Sequence, residues 1–170
     1  EATDRFEEAD DLRLRAVEIE IHTAEQALML YEQQLGSNNP DLGNRLDELA
    51  AEYQGRNFDV AAEILYLGAL EIREQQLGPN HLGVANSLDT LARFYANFRD
   101  FEAAGTAHLY ALEIREQQLG SDHLEVADSL SRLAWAYKNS GSFVEAATLY
   151  LRALEIREQA LGSDHENVAN

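Results

Sequence analysis

The sequence predicts an all-α fold built as a stack of antiparallel helix pairs. Three observations carry that expectation. The ten residues Ala-Leu-Glu-Ile-Arg-Glu-Gln-Gln-Leu-Gly stand at 69–78 and recur unchanged at 111–120. They return at 153–162 with Ala160 in place of Gln, and a looser copy occupies 27–36, so the step is 42 residues each time. A fixed period of this size marks tandem supersecondary units that bury their apolar faces against their neighbours. Finally, two prolines in 170 residues leave the helical patterns long and uninterrupted.

The chain opens on a degenerate unit, 1–34. Counting back one period puts Asp4, Glu7, Glu8 and Asp11 where apolar packing residues belong, so its first helix is absent or rebuilt in 1–13. Its second helix persists from Val17 to Gln34, with Ala24 and Ala27 in place. Phe6, Ala9, Leu12, Ala16 and Ile19 keep helical spacing, which predicts one long helix over 5–34 acting as an N-terminal cap.

Full repeats follow at 35–76, 77–118 and 119–160, and 161–170 starts a further one. Each reads helix A, tight turn, helix B, tight turn. Helix A is expected over 40–54, 82–96 and 124–138, and helix B over 59–76, 101–118 and 143–160. In 69–78 the apolar Ala69, Leu70, Ile72 and Leu77 alternate with straight-chain polar helix formers, the mark of a one-faced helix. Gly36, Gly78, Gly120 and Gly162 close the B helices through the left-handed conformation that glycine accepts. Pro40 opens the first helix A. Asn39, His81, His123 and His165 fall at the helix A N-cap. The inner turns hold Gly55-Arg56-Asn57, Asn97-Phe98-Arg99-Asp100 and Asn139-Ser140-Gly141-Ser142. Gly68 aligns with Tyr110 and Arg152 and so reads as an exposed mid-helix position.

The packing pattern recurs as Leu46, Leu49, Ala50, Tyr53, Ala62, Tyr66 and Ala69; as Leu88, Leu91, Ala92, Tyr95, Ala104, His108 and Ala111; and as Leu130, Leu133, Ala134, Tyr137, Ala146, Tyr150 and Ala153. Small residues let helix backbones approach, and large ones fill the notch between repeats. This pattern resembles the tetratricopeptide repeat. The 42-residue period, with Leu-Glu-Ile-Arg-Glu and Leu-Gly-x-x-His, resembles the long variant found in kinesin light chains and their bacterial relatives. The resemblance implies a right-handed superhelix whose helices A line a concave groove. The polar helix A residues left over from packing are then the groove candidates: Asn44, Asp47, Asn86, Asp89, Arg93, Ser131, Trp135 and Lys138. Asn side chains offer donor and acceptor to a peptide backbone, and Trp135, the only Trp, belongs to a type enriched at interface hot spots.

Charge bounds the partners. Lys plus Arg number 13 against 31 Asp plus Glu, a net −18. Such a chain repels nucleic acid and anionic membranes, and favours a basic partner or serves solubility. There is no Cys, which fits a reducing, cytoplasmic setting. No apolar run approaches the ~20 residues of a membrane span, and no signal peptide is evident. Lacking an initial Met and ending within a repeat, the chain reads as an excised fragment.

Nothing in the motifs points to chemistry. His81, His123 and His165 recur at the repeat step, but helices pack 8–10 Å apart while zinc ligands sit about 2.0–2.1 Å from the ion. They read as caps, and His108 reads as a core histidine. The acidic run Glu7, Glu8, Asp10 and Asp11 lies on a solvated face, whereas acid–base pairs need an enclosed site. No phosphate loop or nucleophile elbow is present. No catalytic residue, cofactor or metal is expected. The expected function is a non-catalytic scaffold that binds a peptide or protein in the groove. The alternative is a self-assembly module joined through exposed repeat ends, where Leu149, Leu154, Ile156 and Leu161 are expected to stay partly uncovered.

Overall fold

The computed structural model describes residues 2–162, with side chains from 11 onward. Over that range it holds seven α-helices and no strand: α1 (Ala2–Leu35), α2 (Leu42–Gly55), α3 (Asp59–Leu77), α4 (Leu82–Asn97), α5 (Phe101–Leu119), α6 (Leu124–Ser140) and α7 (Phe143–Leu161). Helix ends fall within three residues of those expected. The one shift with a cause is at α2, where Pro40 and Asp41 form a turn and the helix begins at Leu42. His165, Val168 and Ala169 lie outside the described residues. The chain divides into two compact units, 1–72 and 73–170.

In the first unit, α1 is one long helix of 34 residues. Ala24 is fully buried on it, and Ala27 is half-buried. The Glu20 carboxylate accepts from the amides of Val60 and Ala61 at 3.2 and 3.4 Å. It thereby satisfies free donors at the start of α3 and sets a negative charge at the positive end of that helix. Residues 11–19 of α1 are exposed throughout. The core of this unit is Leu42, Leu46, Ala50, Ala61, Ala62, Leu65, Tyr66, Ala69 and Ile72. Phe58, one place ahead of its counterparts, is exposed and meets Tyr53 edge-on at 6.2 Å.

In the second unit, α4 packs on α5, α5 on α6, and α6 on α7. Leu112 of α5, Val126, Ala127, Leu130 and Leu133 of α6, and Ala153 and Ile156 of α7 make one cluster. Ala92, Ala104, Ala107 and Ala136 make another. The alanines draw α4, α5 and α6 close. At Gly105 an added Cβ would stand 3.3 Å from Tyr137 Cε1, so the absence of a side chain is part of the fit.

Two backbone features repeat at the step of 42 residues. Asn57, Arg99 and Gly141 all take left-handed φ, 60°, 62° and 94°, in the A–B turn. Only the last is a glycine, so the first two bear a cost that Gly141 avoids. The B-helix glycines also have positive φ. At Gly120 and Gly162, however, ψ is 155° and 151°, so they do not adopt the expected left-handed helical conformation. They occupy the extended, positive-φ region that is open essentially to glycine alone.

Two expectations need correcting. Ile156 is only 4% exposed, because it points into the α6 cluster. Leu149, Leu154 and Leu161 are half-buried, partly uncovered as expected. The open face of α7 is instead Phe143, Val144 and Leu151, at 68%, 77% and 61% exposure. Gly68 is not in open space either. A Cβ there would come 2.6 Å from Leu28 Cδ1 of α1.

That contact sets a prediction. Gly68→Ala gains about 0.5–1 kcal/mol of helix propensity, and the displacement of Leu28 offsets it. The gain should therefore be larger in a Leu28→Ala background than in the parent chain, as read by urea unfolding. Equal effects in both backgrounds would show that Leu28 yields freely.

Candidate functional site

The repeated Ile-Arg-Glu segment supplies the residues that organise helix A. Arg115 of α5 is 4% exposed. Its Nη2 donates to Asp89 Oδ2 at 2.7 Å and to Asn86 Oδ1 at 2.8 Å, both on α4. Its Nη1 donates to Ser129 Oγ of α6 at 2.9 Å. One guanidinium thus holds its own repeat's helix A and the next one. The same register repeats: Arg157 Nη2 donates to Asp128 Oδ1 at 2.9 Å and Ser131 Oγ at 3.0 Å, and Arg73 Nη1 donates to Ser87 Oγ at 2.7 Å. The planar fork of Arg suits such multiple fixed acceptors better than the point charge of Lys.

Asp89 is the centre of this arrangement. It is 8% exposed. Its Oδ2 also accepts from Arg132 Nη1 of α6 at 2.5 Å, and its Oδ1 lies 2.9 Å from His108 Nδ1 of α5. Burial on its own pushes the Asp89 carboxyl up, but the hydrogen bond from His108 and the charges of Arg115 and Arg132 outweigh it and hold the group below its ordinary value. His108 is 4% exposed, a core histidine as expected, and it stands where Tyr66 and Tyr150 stand in the sister repeats.

Above this floor lies a cavity of about 290 Å³ lined by Asn86, Asp89, Thr90, Arg93, His108 and Arg132. Arg93 is exposed at its mouth, with Nη2 3.3 Å from Thr90 Oγ1. On α6, Trp135 is 43% exposed, and its ring meets Phe101 of α5 edge-on, with centroids 5.6 Å apart. Lys138 is exposed one turn further on. A second cavity, about 460 Å³, is lined by Phe98, Arg99, Asp100, Phe101, Glu102 and Ser140.

The structure therefore sorts the predicted groove residues. Asn86, Asp89 and Arg93 meet at one cavity. Asp89 forms its buried floor rather than an open contact. Ser131 is half-buried, donates to Ala127 O at 3.0 Å and accepts from Arg157. Trp135 and Lys138 face solvent. In the first unit Asn44 is exposed and Asp47 half-buried on α2. Sequence reasoning passed over Thr90, Arg115 and Arg132. Arg115 was visible in principle, since Arg73, Arg115 and Arg157 keep one place in the repeated motif.

The comparisons agree with this architecture. The family model described as Tetratricopeptide repeat matches residues 89–159. Among solved structures, BtubC (BKLC) from P. vanneervenii matches with a TM-score of 0.67 and 24% identity, over 86% of this chain and 61% of that one. A Podosopora anserina putative kinesin light chain with nearly identical TPR-like repeats matches with a TM-score of 0.68 and 25% identity, over 85% of this chain and 69% of that one.

Residues 89–159 thus match the tetratricopeptide repeat, and the chain is similar in fold to kinesin-light-chain-like repeat proteins.

Its fold is an all-α solenoid. Among curated proteins none matches it. Tetratricopeptide repeats generally mediate protein–protein interaction, and their fold is typically a non-catalytic scaffold. The chain spans 61% of the length of BtubC. No described helix is long and apolar enough to cross a membrane.

The Asp89 cluster predicts how the chain responds to acid. Because folding lowers the Asp89 pKa below its ordinary 3.8, the folded chain binds fewer protons than the unfolded one in that range. The contribution is complete above about pH 4 and is lost as pH falls through the lowered value. Asp89→Asn removes the closest counter-charge of buried Arg115, leaving only the more distant, exposed Glu125, and should destabilise by about 3 kcal/mol at neutral pH. Urea unfolding should show the gap between the variant and the parent narrowing as pH falls below the ordinary carboxylate value. A constant gap across that range would remove Asp89 from the acid response.

Proposed function

We propose that the chain is a non-catalytic interaction module that takes a peptide or protein segment along α4 and α6. Trp135 carries the reading. It is a large aromatic left 43% exposed, yet held in place by Phe101 at 5.6 Å. A rigid, part-exposed Trp offers contact area at little entropic cost, as interface anchors do. Arg93 holds the same register position on α4, and Asn86 and Lys138 supply further exposed polar groups. On α2, Asn44 and Asp47 are the register counterparts of Asn86 and Asp89, and Ser131 is that of Asp89 on α6. The net charge of −18 favours a ligand that is basic overall. Asp89 is neutralised by its own cluster, so that attraction is a property of the whole field rather than of one carboxylate. A cytoplasmic setting, supported by the cysteine-free composition, belongs to the same proposal.

A selection from a random peptide library, followed by calorimetry, tests it. Trp135→Ala should weaken a selected peptide by about 2 kcal/mol and leave the melting temperature nearly unchanged. A large drop in melting temperature with unchanged affinity would make Trp135 a packing residue and sink the reading. Affinity should fall as salt rises.

A second reading, self-assembly, is favoured by α7. On α5, Phe101 meets Trp135, and Leu109 packs against the cluster that α6 builds. Their register counterparts Phe143 and Leu151 are exposed. An uncovered apolar face of this kind promotes association. Light scattering over a concentration series should show growth that Leu151→Glu suppresses. A chain that stays monomeric at high concentration excludes it.

A further inference from the structure

One place on this acidic chain carries an excess of positive charge. The chain holds 13 Lys and Arg against 31 Asp and Glu. Exposed arginines elsewhere pair with a carboxylate one turn away: Arg15 with Asp11, Arg45 with Glu48 and Arg56 with Glu52. At the cavity between α4 and α6 the balance is reversed. Its lining contains Arg93, Arg132 and a single carboxylate, Asp89. That carboxylate is buried and already shared by Arg115, Arg132 and His108. Counting Arg115 behind it, three guanidinium groups meet one carboxylate. Glu125, 3.8 Å from Arg115 Nε, is exposed and does not line the cavity. Among the described residues Arg93 pairs with no carboxylate, and its Nη2 donates to Thr90 Oγ1 at 3.3 Å. Arg132, with a side chain 49% exposed, uses Nη1 on Asp89 and keeps Nε and Nη2 for another acceptor.

We propose that this cavity receives a phosphorylated side chain of the protein ligand. The proposal rests on the groove reading only for the statement that the ligand is a protein. The donors come from three side chains on two helices: Arg93, Arg132 and the carboxamide of Asn86. Asn86 Oδ1 accepts from Arg115 Nη2 at 2.8 Å, so its amide nitrogen is the end left to donate. A carboxylate has two oxygens in one plane, and one guanidinium fork satisfies both. A phosphate monoester has three terminal oxygens and close to two negative charges. It matches both the donors and the two cations in excess over Asp89. The cavity, about 290 Å³, offers it room. A nucleic-acid backbone brings only one charge per phosphate, and a chain of net −18 repels the polymer as a whole. A peptide that is basic in its flanks and phosphorylated at one residue suits both the overall field and this local reversal of it.

Titration of the whole chain with N-acetyl-O-phosphoserine amide tests it, followed by NMR of the arginine Nε–H groups at constant ionic strength. At about pH 8 the monoester is a dianion. The Arg93 and Arg132 signals should move together, and the affinity should exceed that for N-acetylglutamate amide about tenfold. Arg93→Gln should weaken phosphoserine binding about tenfold, and Arg93→Lys, which keeps the charge without the fork, should fall between. Arg132→Gln should do the same, and Arg93→Gln serves alone if loss of the Asp89 bond unfolds that variant. Trp135→Ala should leave phosphoserine binding unchanged, because so small a probe does not reach along the helices. A Trp135→Ala chain that loses its selected peptide but keeps phosphoserine separates the anion site from the groove. Equal binding of the glutamate and phosphoserine probes, unmoved Arg93 and Arg132 signals, or an Arg93→Gln chain with the parent's affinity would each overturn the proposal. Tighter binding of a short single-stranded RNA than of phosphoserine would overturn its assignment to a protein ligand.

Discussion

The second unit depends on one buried guanidinium. Arg115 sits on α5 and bonds to two residues of α4 and one of α6, so three helices share its charge. An isolated cation in that position would cost far more than the apolar contacts around it return. Asp89 makes the position tenable. It is itself tenable because Arg132 and His108 complete its hydrogen bonding. The alanine contacts among α4, α5 and α6 bring the backbones close, and closeness alone allows many registers. The charged cluster admits only one, because each donor must meet its acceptor within hydrogen-bond distance. We read the arginine of the repeated motif as the element that sets how far one repeat is displaced from the next.

That role explains which parts were legible in the sequence. Periodicity reports which face of a helix is apolar, and here the faces repeat almost without error. All seven helices and the buried small residues Ala50, Ala92 and Ala134 were accessible from spacing. Periodicity does not report pairing between polar groups. Asp89 is polar, on helix A and off the apolar stripe, so it reads as a groove residue. It is buried because an arginine 26 residues later reaches it. Asp128 and Ser131, the register counterparts of Asn86 and Asp89, meet Arg157 in the same way, so polar residues at these places pair with the recurring arginine rather than standing free at a surface.

Gly68 shows the other limit. Its counterparts Tyr110 and Arg152 are large, which argued for open space. The space beside Gly68 is filled by Leu28 of α1, and α1 is the one helix that does not follow the repeat. Alignment between repeats transfers the environment only while the neighbours also repeat. The first unit departs because a long helix packs where a regular pair is expected. Its Glu20 carboxylate on the start of α3 is a contact that no other repeat could have forecast. The same reasoning accounts for Ile156. Its neighbours Val126 and Leu130 belong to its own repeat and bury it whatever follows α7.

The regular positions make the scaffold, and the irregular ones distinguish this chain from a generic stack. Trp135 stands where the sister repeats have Ala51 and Arg93, and His108 stands where they have Tyr. Ala51 and Arg93 are exposed as Trp135 is, so packing does not require the Trp. His108 gives Asp89 its third partner and keeps that carboxylate from reaching out toward a ligand. Trp135 presents an aromatic face one helix away, braced by Phe101. Arg93 and Arg132 line a cavity whose one carboxylate is already satisfied. Among these near-identical units the two differences fall on α5 at His108 and on α6 at Trp135.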